Sequence, residues 1–281
     1  MSQLAPTPAR PIMRYPGGKA RIAPWILSHM PPHQVYVEPF FGGGSVFFGK
    51  RRAPVEIVND LDDRVVNLYR VLREQPEDLI RLVTLTPYAL TEYEQSTEIT
   101  DDPLENARRF LVRVWMAHGG KLGSVSGWRR GWNGGTDGRR GSSARVWAGL
   151  PDRLAEVVER LTDVMIDHRP AVDVISGWAV PDCVVYADPP YPLSTRNGTN
   201  RLYRHEMTDQ EHVELIAVLE AHPGPVLLSG YRCELYDDLL ASWTRVDREV
   251  LAYRQAERTE CLWLNGVATS GQRQLRLDGH P

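Results

Sequence analysis

Short apolar runs rich in valine, leucine and isoleucine recur along this chain, and they constrain its fold more than any other feature. QVYVE (34–38) runs into a Pro-Phe-Phe-Gly-Gly-Gly turn, and VEIVND (55–60) closes on Asp. CVVYA (183–187) is followed by Asp-Pro-Pro, and VMIDH (164–168) and GPVLLSG (224–230) have the same character. Runs this apolar, without polar alternation, suit strands covered on both faces, as in a parallel sheet. The segments between them have helical spacing: DRVVNLYRVLRE (63–74) with an acidic start, DQEHVELIAVLEAH (209–222) and CELYDDLLASW (233–243). TRVDREVLA (244–252) and TECLWLN (259–265) read as two further strands. Alternating strand and helix predicts an α/β domain with right-handed crossovers, assembled from both ends of the chain.

The middle breaks the alternation. PEDLIRLVTL (76–85), TEYEQSTEI (91–99) and DPLENARRFLVRVWMAH (102–118) read as helices, and PDRLAEVVERL (151–161) as another. Between them, residues 119–146 hold nine of the 23 glycines, six Lys or Arg, two Trp and one Asp, a composition that predicts a long loop without helix. The expected division is therefore a domain of residues 1–75 and 163–281, with an insert at 76–162.

Net charge is -3, so any attraction to a polyanion must be local. Three scattered cysteines without metal-like spacing point to a reducing compartment, and no apolar run reaches membrane-spanning length. A soluble, cytoplasmic protein is expected.

VEPFFGGGSVFFGKR (37–51) permits two readings. From Gly44 it matches the first seven places of a phosphate-binding P-loop, but Arg51 stands where the magnesium-binding hydroxyl belongs, and Glu38 beside the turn would repel a triphosphate. From Phe40 it is a strand-to-helix glycine turn of Rossmann-like type, with Asp60, 18 residues after Gly42, placed to hold ribose hydroxyls. A ligand with an adenosine and a positive centre suits both Asp60 and Glu38. S-adenosylmethionine, a sulfonium, is such a molecule.

The second motif is more specific. VVYADPPYP (184–192) delivers Asp188 to the C-terminal edge of a buried strand, and the two prolines stiffen the turn that follows. Asp188 and the Pro189 carbonyl, with Pro190 fixing their geometry, form two acceptors for the hydrogens of an amine on a flat conjugated base. Gripping both hydrogens localises the nitrogen lone pair, and fixed dipoles stabilise the cation formed during transfer. Tyr191 is expected to give the base a stacking face. No metal requirement is expected.

Together, RYPGGK (14–19), VEPFFGGGSVFF (37–48), VNDLD (58–62) and DPPY (188–191) resemble the DNA adenine methylase (Dam-type) family, in the same order along the chain. YRHEMTDQEH (203–212) and ERTECLWLN (257–265) resemble its phage and restriction-modification members. The resemblance implies a Rossmann-like methyltransferase sheet with helices on both faces and a mainly helical target-recognition insert. It implies S-adenosyl-L-methionine as methyl donor, double-stranded DNA as partner and, for a restriction-modification member, a cognate nuclease. Tyr15, where some members have Trp, and Lys19 would cover the methionine end of the cofactor. Phe40, Phe41, Gly42 and Gly44 would surround it, Asp60 would hold its ribose, and Asp188 would meet both cofactor and target amine.

An amine inside a duplex is reached only if its nucleotide is flipped out. Lys121, Arg129, Arg130, Arg139, Arg140 and Arg145 of the insert supply local positive charge for DNA, with Trp128 and Trp132 able to stack. A second expected DNA contact is the loop after the catalytic motif, with Arg196, Arg201, Arg204 and Tyr203 closing over the flipped base. The alternatives are a cytosine-N4 or RNA amino-methyltransferase, whose acceptor geometry would be the same, and a catalytically silent DNA-binding regulator, which would not need Asp188, Pro189 and Tyr191.

Overall fold

The computed structural model describes residues 9–13, 15–118, 127–129, 131, 142–196, 203–251 and 257–270. Of the expected DNA contacts, Lys121, Arg130, Trp132, Arg139, Arg140 and Arg201 lie outside the described residues.

Seven strands form one sheet in the order β3-β2-β1-β4-β5-β7-β6. They are β1 (Val35–Glu38), β2 (Val55–Asn59), β3 (Val164–Asp167), β4 (Cys183–Ala187), β5 (Val226–Gly230), β6 (Thr244–Leu251) and β7 (Glu257–Leu264). The first five are parallel, and β7 inserts antiparallel between β5 and β6. The parallel part is what the strand-helix alternation predicts, the sheet is Rossmann-like as the resemblance implies, and the antiparallel β7, which was not expected, makes it mixed. The order reverses between β1 and β4, so a crevice opens above their C-terminal ends, where α/β folds bind ligands.

Side chains alternate between two cores, as the pleat requires. Tyr36, Val58, Val184, Tyr186, Leu227, Leu262 and Leu264 face one layer, and Val37, Ile57, Val185, Leu228 and Trp263 face the other. The second layer is covered by α9 (Ala171–Gly177), α10 (Asp209–Glu220) and α11 (Glu234–Leu239). The first is covered by α1 (Ala23–Ser28), α2 (Ser45–Gly49), α3 (Asp63–Glu74), α4 (Pro76–Leu85), α5 (Leu90–Gln95), α6 (Pro103–Met116), α7 (Ser143–Ala148) and α8 (Leu150–Arg160). Among the described residues, no helix is long and apolar enough to cross a membrane.

The elements described between residues 76 and 162 are helices, and they share their core with the sheet. Leu79, Val83, Phe110, Leu111 and Leu154 belong to the same buried cluster as Ile12, Phe47 and Tyr69, so one continuous core crosses the expected boundaries at residues 76 and 162. Trp115 Nε1 donates to the Ile12 carbonyl at 2.8 Å and Trp147 Nε1 to that of Thr86 at 2.8 Å. α7 also corrects the expectation that residues 119–146 hold no helix. Its last-placed residues, from Ser143, leave the glycine-rich part behind, and the Ser142 hydroxyl caps the turn by accepting from the Arg145 amide.

Candidate active site

The glycine turn after β1 is held open by conformation and by crowding. Gly42 and Gly44 have φ of +46° and +63°, in the left-handed region that side chains disfavour. A Cβ on Gly42 would stand 2.8 Å from the Tyr15 ring, and one on Gly44 would stand 2.6 Å from the Phe41 ring. Asp60, directly after β2, accepts from the Gly42 amide at 2.7 Å and the Asp62 amide at 2.9 Å, which pins the turn to the neighbouring strand. Burial raises the Asp60 carboxyl to about 6, against the lowering effect of those amides.

These residues line a solvent-open cleft. Tyr15, Lys19, Glu38, Phe40, Phe41, Gly42, Gly44, Asp60 and Asp188, all nine residues assigned to the cofactor from the sequence, border it. Phe41 does so from within the core, its ring 4.7 Å from that of Tyr69. Glu38 is buried and accepts from the Tyr36 hydroxyl at 2.7 Å, and burial raises its carboxyl to about 8. Lys50, the lysine of the P-loop-like match, is also buried, but it turns away from the cleft to pair with Glu56 on β2. That placement removes the P-loop reading.

Asp188 follows β4 directly. Lys19 Nζ stands 2.9 Å from its Oδ1, yet that buried oxygen has no aligned hydrogen bond. Burial pushes the Asp188 carboxyl up, Lys19 pulls it down, and the net shift is upward. Burial would lower the Lys19 ammonium, but Asp188, Glu260 and Tyr203 outweigh it and leave it raised. Lys19 also donates to the Gly17 carbonyl at 2.7 Å.

Pro190 borders the cleft beside Asp188, whereas Pro189 is buried and, like Tyr191, does not line it. Tyr191 is placed differently from expectation: only 9% of it is exposed, and its hydroxyl donates to Glu260 Oε2 at 2.8 Å. Lys19 Nζ lies 4.8 Å from its ring centroid. Glu260 is a site residue that sequence reasoning missed. Its signal was present, because Glu260 falls on the same strand face as the buried Leu262 and Leu264.

Arg196, expected at DNA, is turned inward. It donates to both Glu206 carboxylate oxygens, at 3.0 and 2.8 Å, and to the Tyr191 carbonyl at 2.7 Å, bracing the catalytic motif from behind. Tyr203 lines the cleft and donates to the Pro16 carbonyl at 3.2 Å, so it sits at the cofactor residues. Arg204 pairs with Asp63 at 2.6 Å. Arg145 is exposed on α7 and Arg129 is half-buried; Trp128 packs against the core with its ring 6.0 Å from Tyr88.

A turn of glycines, the acid that follows β2, Asp188 and Pro190 thus meet in one cleft. Residues 15–254, which is 240 of 281, match the model of the D12 class N6 adenine-specific DNA methyltransferases. The chain belongs to this family. Among curated relatives, this D12-class chain is 39% identical over 77 residues to the type II methyltransferase M1.LlaDCHI of Lactococcus lactis subsp. cremoris, covering 27% of this chain and 26% of that protein. It is 25% identical over 226 residues to the DNA N-6-adenine-methyltransferase of Escherichia phage P1, covering 76% and 28%. With the DNA adenine methylase of Salmonella typhi it shares 25% identity over 234 residues, covering 79% and 81%. The match thus spans about a quarter of the Lactococcus and phage proteins and most of the Salmonella one.

Proposed function

We propose that this D12-class chain transfers a methyl group from S-adenosylmethionine to the exocyclic amine of adenine in double-stranded DNA. The observation that carries the reading is the position of Asp188, on a proline-stiffened corner that opens into the same cleft as the Gly42 turn and Asp60.

The cleft fits the donor chemically. The side chains of Glu38, Asp60 and Asp188 border it against the single ammonium of Lys19 and the rim arginine Arg204, a balance suited to a cation and hostile to a polyphosphate. Asp60 keeps lone pairs on both oxygens for ribose hydroxyls after accepting its two amides. When bound, the donor supplies a methyl group already activated by the sulfonium charge.

The chain's own residues supply the rest. Asp188 and the Pro189 carbonyl accept the two amine hydrogens and stabilise the positive nitrogen that forms. Lys19 beside Asp188 keeps the carboxylate in its accepting form. After transfer the nitrogen carries one proton too many, and Asp188, its affinity raised by burial, is the nearest acceptor. The target must leave the duplex to reach this depth, so the reaction requires base flipping.

The test is incubation with radiolabelled methyl donor and unmethylated duplex DNA, followed by hydrolysis and identification of the labelled base. Label in N6-methyladenine is expected. Label in N4-methylcytosine, or none in DNA, would overturn the reading.

A further inference from the structure

The segment from Tyr15 to Lys19 and the Asp188 corner are joined by two routes around the cleft. One is direct, with Lys19 Nζ beside Asp188 Oδ1. The other passes through three side chains. Arg196 Nη2 donates to the Tyr191 carbonyl at 2.7 Å, and its Nη1 donates to both oxygens of Glu206, at 3.0 and 2.8 Å. Glu206 Oε1 also accepts from the Tyr203 amide at 3.0 Å. Tyr203 completes the route: its hydroxyl donates to the Pro16 carbonyl at 3.2 Å, and its ring centroid lies 6.1 Å from that of Tyr15. Gly17, with φ of +72°, leaves space for that hydroxyl, since a Cβ there would stand 2.4 Å from it.

Glu206 is the joint of the second route. Its carboxylate takes Arg196 from one side and the Tyr203 backbone from the other, and the Arg196 guanidinium lies 5.3 Å from the Tyr203 ring centroid. Both charged side chains are nearly buried, with Arg196 10% and Glu206 12% exposed. An ion pair this shielded gains little net stability over apolar residues of similar volume. What it adds is direction. A planar guanidinium bonded at once to a carboxylate and a backbone carbonyl is fixed in angle as well as distance. Glu206 also borders the cleft, so this rigid link stands at the ligand site and not behind it. One contact between two segments leaves a hinge, whereas two separated contacts fix their relative orientation.

We infer that Glu206, through Arg196 and Tyr203, is a positioning residue that holds the Tyr15–Lys19 segment in register with the Asp188 corner. The inference rests on the proposed adenine methylation and assigns a role outside the Asp-Pro-Pro-Tyr motif. Methyl transfer needs donor sulfur, methyl carbon and target nitrogen in line, and a misplacement of about 1 Å costs about a hundredfold in rate. Donor and amine are held by different halves of the cleft, so their alignment depends on the register between those halves.

Single-turnover methyl transfer, with methyl donor and a duplex carrying the mapped target both saturating, tests the joint. Loss of folded protein lowers the amplitude of such a reaction and leaves its rate constant alone. Glu206→Gln keeps an acceptor for the Tyr203 amide and removes the charge that holds Arg196. Its rate constant is expected to fall about 10- to 100-fold, with unchanged calorimetric affinity for S-adenosylhomocysteine. Arg196→Lys lacks the planar group that reaches Glu206 and the Tyr191 carbonyl together, and its rate constant should fall to a similar extent. The double variant should fall no further than either alone, because both break the same link. A wild-type rate constant at reduced amplitude would make the pair purely structural, and additive losses in the double variant would separate its members; either result overturns the joint. So does weakened S-adenosylhomocysteine binding in Glu206→Gln with a wild-type rate constant at saturation, which would make Glu206 a cofactor contact. These outcomes leave adenine methylation standing. A wild-type protein that labels no DNA overturns the functional reading instead, and the positioning role with it.

Discussion

On β2, the Glu56 carboxylate meets Lys50 and Arg160 and also accepts from the Ala53 amide at 3.0 Å; two strands away, Asp188 meets Lys19, with Tyr191 beside it. Both acids carry a cation at close range in a low-dielectric setting. Glu56 has every oxygen bonded, and Arg160 holds a second, 2.9 Å bond to Oε1 while stacking 3.7 Å above Phe47. Burial alone would raise the Glu56 carboxyl, but Arg160 and Lys50 bring it below its ordinary value. Asp188 keeps Oδ1 without an aligned hydrogen bond, and its net shift is upward. The first cluster ties α8 to β2 and α2 through Arg160, whose Nη groups reach Glu56 and the Phe47 carbonyl. In the second, Lys19 Nζ lies 2.9 Å from Asp188 Oδ1 without an aligned hydrogen bond. Two acids beside buried cations thus shift in opposite directions, Glu56 down and Asp188 up, with Glu56 accepting from both Lys50 and Arg160.

The contrast breaks most sharply under two substitutions. Asp188→Asn keeps the shape of the corner and removes its charge. Methyl transfer should fall by at least about a hundredfold, while urea unfolding shifts by less than about 1 kcal/mol. Arg160→Met should do the reverse. It leaves Glu56 with Lys50 as its remaining cationic partner in a buried site, and unfolding stability should drop by about 3 kcal/mol, with kcat of the folded enzyme unchanged. A large loss of kcat in Arg160→Met, or a large loss of stability in Asp188→Asn, would mean that the two clusters do not divide the work as described.

The same contrast explains what could be read without coordinates. Asp188, Asp60, Gly42 and Gly44 were legible because each must stand at the end of a strand or in a left-handed turn, and chain order alone places strand ends. The doubly buried strands announced themselves by lacking polar alternation. The inward face of Glu260 could be read from its spacing to Leu262 and Leu264, but its meeting with Tyr191 could not, because it depends on β7 inserting between β5 and β6. Tyr191 and Arg196 were assigned outward from residue type, yet a hydroxyl acceptor on β7 and a carboxylate at Glu206 turn them inward. α9 and α1 are too short to show a periodicity, and both escaped prediction.

Lys19 sharpens the comparison at smaller amplitude. It is the cation beside Asp188, and it lowers that carboxyl against the upward push of burial. Without it the carboxylate loses its stabilising charge, its pKa rises further, and more of it is protonated at any given pH. Lys19→Met is therefore expected to move the acidic limb of the pH–rate profile for kcat to higher pH. An acidic limb that stays in place would assign Lys19 to cofactor contact alone.

The smallest effect separates Asp60 from Glu38 within the cofactor half of the cleft. Both carboxyls are raised by burial, Asp60 to about 6 and Glu38 to about 8, so each is protonated in the free protein at a pH where an exposed acid is ionised. A sulfonium and its ribose favour the ionised form of both. By linkage, cofactor affinity should climb with pH in two steps, one near 6 and one near 8, each no steeper than tenfold per pH unit, and level off above. Asp60→Asn still accepts the Gly42 amide through its carbonyl oxygen but cannot titrate. Calorimetric titration of this variant should show weaker binding above pH 6 and only the upper step. If the lower step survives, Asp60 is not the group that meets the ribose, and the turn it pins to β2 would owe that acid to structure alone.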